Sequence, residues 1–441
     1  MKLEWNLNPS FKNLKKKIKE NKPLKNMKNQ TFKTMLLILI VIGTNITISA
    51  QAWQRIGKQF GNTPNSGTTF YSPALAFSAK SNVLYTAFIN ASSELVVMKS
   101  DNLSGNISKI SWNQVGLFGS NISFAPSIVI NPVTDEPYVV YVDGNDKYVV
   151  HKFNNKTNAW EQLGKIQKNA IGHHLPLLVF KPNTEELFLT FIDGTNNNNV
   201  VVSKFDGTGT WNSVGNNTIG TATGNTNPYQ PHYSCSLAFN PANNEPYIAF
   251  INNSSYLTIK RLAGDNNWYD YGMPGTVGKV TGITTSALAF NPINNSPYVV
   301  FSSDIPFYSY VKVVKAKAGP KTIDLSGNPV QTILWSEVKS NGVGLNNVSS
   351  TLAFVPGTDT PYVTGWNAAG GVFLVKKYTG SAWDYSGYIY CTGITGAVPS
   401  IGPSCGYNNE KQTPTLLFNT LTNKAFLSYA IFGKYEVRIE P

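Results

Sequence analysis

The chain has 441 residues, 41% of them hydrophobic and 14% charged, and a formal net charge of +12. Residues 1–34 hold ten lysines and two glutamates, so +8 belongs to this leader and only +4 to everything after it. So small a balance over so long a stretch excludes the basic face that a phosphate backbone needs, and no nucleic-acid partner is expected.

After the basic flank comes Met35-Leu-Leu-Ile-Leu-Ile-Val-Ile-Gly43, then a polar stretch ending in Ala50-Gln51-Ala52. A basic flank, a short apolar core and a small-x-small end is the layout of a secretory signal, and the apolar run is too short to favour spanning a bilayer. Residues 1–52 are therefore expected to be a signal peptide cut after Ala50 or Ala52. Left uncut, they would anchor the chain with the same topology, because positive charge stays inside. The flank is long for a signal, and a start at Met27 would shorten it. The mature part, 53–441, is expected to be secreted, extracellular or periplasmic, and off the membrane once the leader is gone.

Beyond residue 53 one phrase recurs without gaps. Its first copy reads Ser72-Pro-Ala-Leu-Ala-Phe77, a six-residue turn, then Leu84-Tyr85; its second reads Ala125-Pro-Ser-Ile-Val-Ile130, a turn, then Pro137-Tyr138. Further copies begin at Leu175, Ser234, Thr285, Ser349 and Thr413, with aromatic partners at Phe188, Tyr247, Tyr298, Tyr362 and Phe426, which makes seven. A third β-rich stretch follows each copy and ends near a basic residue in six of them: Lys99, Lys152, Lys204, Arg261, Lys315 and Lys377. Each of these six stretches leads to a tryptophan. Alternating apolar residues bounded by Asn, Pro and Gly read as strands.

The tryptophans at 53, 112, 160, 211, 268, 335 and 383 are spaced by 59, 48, 51, 57, 67 and 48 residues. Four short strands per period of about 50 residues predict an all-β, seven-bladed β-propeller. Trp53 precedes the first phrase, while the last unit stops at Tyr435-Glu-Val-Arg-Ile-Glu-Pro441 without a tryptophan strand. The orphan strand at Trp53 is expected to complete the last blade, since an open ring exposes unpaired edges and an apolar face at both ends. The tryptophan and Pro-Tyr columns are expected to be inter-blade core, and the lysine column a solvated edge with its stems packed on the sheet.

Three cysteines suit export. Cys391 and Cys405 flank a loop-like stretch and are expected to form a local disulfide, while Cys235 falls on an innermost strand as a buried thiol. Asn90, Asn102, Asn106, Asn121, Asn155 and Asn347 stand in acceptor sequons for N-glycans.

In a propeller, ligands usually meet the ring on the face where the loops leading into the innermost strands open. Those loops, 57–71, 116–124, 164–174, 215–233, 272–284, 338–348 and 387–412, hold one carboxylate, Glu410. The loops joining second and third strands add Asp143, Asp146, Asp193 and Asp304. Glycoside hydrolysis needs a defined carboxylate pair and hard metals need several oxygens, so this face is poor in both. Asp143 and Asp193 begin Asp-Gly hairpin turns. The positions just before the innermost strands read Tyr71, Phe124, His174, Tyr233, Thr284, Val348 and Gln412. Aromatic faces pack on sugar C–H surfaces or on peptide while polar groups orient them, which marks Tyr71, Phe124, His174, His232, Tyr233 and Gln412 as the ligand-binding set. His173, His174 and His232 lack Cys or Asp partners in a metal motif. They are expected as hydrogen-bonded loop residues, with no metal and no cofactor. Phosphate-loop, nucleophile-elbow and zincin motifs are absent.

The phrase Ser234-Cys-Ser-Leu-Ala-Phe-Asn-Pro-Ala-Asn-Asn-Glu-Pro-Tyr247 followed by Trp268-Tyr-Asp-Tyr-Gly272 resembles repeats in secreted bacterial propeller proteins, over residues 53–441. It departs from the Trp-Asp repeat, kelch, Asp-box sialidase and integrin-type patterns, so no activity of those classes is carried over. The expectation is a secreted, non-catalytic binding module for glycan or extracellular protein. The rival is a polysaccharide hydrolase or lyase using Asp143, Asp193, His174 or Glu410; the third reading is a structural surface protein.

Overall fold

The computed structural model describes residues 53–63, 72–122, 124–166, 168, 170, 175–222, 235–272, 286–305, 308–323, 329–339, 343, 350–367, 372–390, 414–431 and 434–441. The leader 1–52 and the expected Cys391–Cys405 disulfide lie outside these residues.

Within them the strands form seven antiparallel four-stranded sheets. From the innermost strand outward, blade 1 runs Ala74–Ser78, Val83–Ile89, Leu95–Ser100 and Trp112–Phe118, and blade 2 Ser127–Ile130, Pro137–Val142, Tyr148–Asn154 and Ala159–Gln162. Blade 3 runs Leu177–Phe180, Leu187–Asp193, Asn199–Phe205 and Trp211–Ser213, and blade 4 Ser236–Phe239, Pro246–Ile251, Leu257–Leu262 and Trp268–Asp270. Blade 5 has Ala287–Phe290, Pro297–Ile305, Tyr308–Ile323 and Pro329–Glu337; blade 6 has Ser350–Phe354, Pro361–Asn367, Val372–Tyr378 and Trp383–Tyr390. Blade 7 has Thr415–Phe418, Ala425–Ile431 and Lys434–Ile439, and its fourth strand is the first of the chain, Gln54–Arg55. Each innermost strand contacts the next, and that of blade 7 returns to blade 1. The ring is closed as the orphan strand at Trp53 requires, with Gln54 opposite Ile439 and Arg55 opposite Arg438.

The turns between the first two strands show why the phrase never varies in length. Asn82, Asp135, Asn244, Asn295 and Asn423 occupy the fifth turn position with φ between 52° and 61°. Asn and Asp tolerate this left-handed backbone better than other side-chain-bearing residues. Blades 3 and 6 move it to the third position, at Asn183 and Gly357.

A blade is packed on both faces, so the core is seven apolar clusters, one at each blade interface. The aromatic partner of the phrase meets the phrase phenylalanine of the next blade: Tyr138–Phe180, Phe188–Phe239, Tyr247–Phe290, Tyr298–Phe354 and Tyr362–Phe418 sit 5.0–5.1 Å apart at 70–90°. Edge-to-face pairs of this kind contribute about 0.5–1.5 kcal/mol each beyond burial. The tryptophans stitch the same interfaces. Trp112, Trp160, Trp211, Trp268 and Trp335 donate Nε1–H to the carbonyls of Ile56, Val115, Leu163, Val214 and Tyr271, at 2.7–3.0 Å. Every acceptor lies three residues after the preceding blade's tryptophan, so one repeat motif supplies both donor and acceptor.

The basic column lies on third strands and not on the blade edge, with its stems against the sheet as expected. Lys99, Lys152, Lys204, Arg261, Lys315 and Lys377 stand on third strands directly opposite the phrase aromatics. The ammonium groups of Lys99 and Lys204 lie 5.6 and 5.8 Å from the ring centres of Tyr85 and Phe188. The 67-residue spacing before Trp335 is explained by the blade 5 hairpin, whose last two strands continue past a bulge between Ala318 and Lys321.

Candidate functional site

Seven innermost strands bring the starts of their phrases to one axis. Side chains alternate along a strand, so the third phrase position faces the channel while the fourth packs between blades. The third position holds Ala74, Ser127, Leu177, Ser236, Ala287, Thr351 and Thr415; the fourth holds Leu75, Ile128, Leu178, Leu237, Leu288, Leu352 and Leu416, all at most 8% exposed. Together with Ser72, Ala125, Leu175 and their neighbours, the third-position residues line an open axial cavity of about 270 Å³.

The hydroxyls of this ring join blade to blade. Ser127 Oγ accepts from the Leu178 N–H at 3.3 Å and Ser236 Oγ from the Leu288 N–H at 2.8 Å. Thr351 donates to the Pro414 carbonyl at 3.1 Å and Thr415 to the Pro73 carbonyl at 2.8 Å. Cys235 borders the cavity but is fully buried, and burial pushes its thiol up to about 12. It is a thiol at neutral pH and an inert wall residue.

Of the carboxylates offered by the rival reading, Asp143 is committed to a turn. Asp143 Oδ1 accepts the N–H groups of Asn145 and Lys147, both at 2.9 Å, and Asn90 and Asn252 do the same in blades 1 and 4. Asp146 carries the turn's left-handed residue, φ 57°. Asp304 belongs to the second strand of blade 5 and not to a loop. Asp193 is wholly buried; its Oδ1 accepts from the Thr195 hydroxyl at 2.6 Å and its Oδ2 lies 2.9 Å from Lys168 Nζ. Burial pushes its carboxyl up, but the Thr195 hydroxyl and the Lys168 ammonium together outweigh it and hold the carboxyl below its usual value. The pair ties Lys168 to blade 3.

A folded-state pKa below the unfolded one stabilises the fold above the unfolded value, ~3.9, and that stability is lost as pH falls through the folded value. Asp193→Asn should therefore cost about 1–3 kcal/mol at pH 7, with a gap from the parent that closes as the pH falls below the ordinary carboxylate range. Urea midpoints of both proteins across that range measure it. An unchanged gap would mean that the ion pair is not the source of the loss.

Of the mouth residues marked in the sequence, Tyr71, His174, His232, Tyr233 and Gln412 lie outside the described residues, as do His173 and Glu410. Phe124 is 6% exposed and clusters with Tyr148, Ala170 and Phe191 between blades 2 and 3. Its place just before the innermost strand points to the mouth, but the side chain is buried in the blade interface. Among the described residues no three His, Cys, Asp or Glu side chains are placed to hold a metal ion. The four hydroxyls of the ring were missed in the sequence, though their signal was there: small or hydroxylic third positions in six of the seven phrases, beside invariably aliphatic fourth ones.

No family model and no curated protein matches the sequence. Solved structures do. The BP39L lectin from Burkholderia pseudomallei superposes with a TM-score of 0.57 at 13% identity, covering 83% of this chain and 95% of that one. The chain has the propeller fold. Polysaccharide lyases, an ulvan lyase of family PL25 and Uly1, both reach a TM-score of 0.49, at 9% and 11% identity, over 86% and 89% of this chain and 95% of each of theirs. At such identities the likeness extends to architecture only.

Proposed function

We propose that this protein is a secreted, non-catalytic binding module that recognises glycan at the mouth of the propeller channel. The observation that carries the reading is the axial cavity, walled by aliphatic and hydroxyl side chains, on a ring whose described loop aspartates are tied into turns or an ion pair. Convergent polar groups in an otherwise apolar hollow are the usual composition of a small-ligand site. Tyr71, His174, His232, Tyr233 and Gln412, which come shortly before innermost strands in the sequence, are the residues proposed to extend it. Phe124 is not among them. That the same architecture serves a lectin agrees with the reading, and secretion follows from the leader.

The test is a glycan-array screen of the purified full chain with and without chelator. Saturable binding that survives the chelator is expected. Binding lost with chelator would transfer recognition to a metal held by the loop histidines. A blank array would contradict glycan recognition and shift attention to an extracellular protein partner.

A further inference from the structure

We infer that the axial channel takes a single uncharged pyranose end-on, so that the recognised glycans terminate in a neutral sugar. The inference deepens the reading above and rests on it.

The channel wall mixes apolar and hydroxyl groups: Ser127 of blade 2 and Ser236 of blade 4 flank the leucines of blade 3. Leu175 and Leu177, both half-buried, come from blade 3. In a closed ring of seven, blade 3 stands across the axis from blades 6 and 7, which contribute Thr351 and Thr415. A pyranose likewise offers both C–H surface, on its faces, and hydroxyls, around its edge. Leu175 and Leu177 fit the first and the threonines the second.

The hydrogen bonds already made decide what remains to offer. Thr351 and Thr415 spend their protons on the carbonyls of Pro414 and Pro73, so their oxygens remain as acceptors. Ser127 and Ser236 accept backbone N–H groups, so their protons remain to be donated. A hydroxyl carries one proton and two lone pairs. The wall therefore meets sugar hydroxyls in both senses, as a one-sense acceptor or donor ring would not.

Charge is selected against. Among the described lining residues none is ionised at neutral pH, since Cys235 is held as its thiol. A uronate, sulfate or phosphate entering here would lose its hydration with no cation among the described lining residues to replace it. The hollow also has room for one ring: about 270 Å³ lies just under the ~300 Å³ lower end of small-molecule pockets.

The experiment titrates the full chain with the methyl pyranosides of glucose, galactose, mannose and N-acetylglucosamine, and with methyl glucuronide. These also compete against any glycan that the array scores. At least one neutral pyranoside is expected to bind and compete, with the glucuronide about tenfold weaker or more. Leu177→Trp, which fills the channel, and Thr415→Val, which removes an acceptor, should each weaken binding about tenfold, while Thr415→Ser retains it. Ala287→Leu fills the channel from another blade should Leu177→Trp fail to fold. Array binding that no neutral pyranoside competes for, that prefers the glucuronide, or that the filling variants leave unchanged overturns the channel assignment and leaves glycan recognition standing. A silent array with the parent protein removes both.

Discussion

Trp53→Ala is expected to lower the unfolding free energy by about 3–5 kcal/mol, the usual cost of emptying a large aromatic site in a core. Trp53 is 2% exposed and packs with Tyr362, Leu416, Leu427 and Tyr429 between blades 6 and 7. Its indole N–H is buried without an acceptor, unlike those of the five stitched tryptophans. The loss should thus be one of packing. A polar cluster holds the same joint. Glu436, 1% exposed, accepts from Tyr429, from Arg438 Nε at 2.7 Å and from Gln59 at 3.0 Å, while Arg438 also donates to the Trp53 carbonyl at 2.9 Å. Residues from both ends of the chain thereby share one buried carboxylate. Urea midpoints of Trp53→Ala and of a chain lacking residues 53–61 check the account, and the deletion should unfold at the lower denaturant concentration. A deletion as stable as the parent would show that the ring does not depend on its closing strand.

Gly164→Ala should cost about 2–5 kcal/mol. The residue has φ +61°, and an added Cβ would lie 2.1 Å from the carbonyl oxygen of Gly209 in the neighbouring blade. Left-handed backbone costs a side-chain-bearing residue about 1–2 kcal/mol, and overpacking adds about 1–3 kcal/mol. Gly207→Ala separates the two effects, because Gly207 also has positive φ, +85°, but has nothing within 4 Å of the added carbon. It should lose only the backbone part. Equal losses in the two variants, read from denaturation midpoints, would mean that the blades yield freely at this contact.

The ring was legible because its determinants are local and repeated. The phrase carries its own turn, and each tryptophan carries the acceptor for the next one three residues later. Closure could be read from one surplus strand and one missing one. The site was harder to read, because a propeller sheet is packed on both faces. Alternation separates channel-facing from blade-facing positions, yet it does not show which way a residue turns once the strand has ended. Phe124 stands one residue before a phrase and turns into the blade interface. Lys168 and Asp193 are 25 positions apart in sequence and meet only in the folded chain. Glu436 reads as an ordinary polar member of an alternating last strand, although its partners Arg55 and Gln59 lie at the other end of the chain.

An axial site holds one ligand per ring, whereas sites between blades repeat with the blades. Isothermal titration of the full chain with the neutral pyranoside that competes best separates the two by stoichiometry alone. One equivalent per chain, abolished by Leu177→Trp, is the predicted result. Several equivalents per chain, up to one for each of the seven blade interfaces, would place recognition between the blades and contradict the channel.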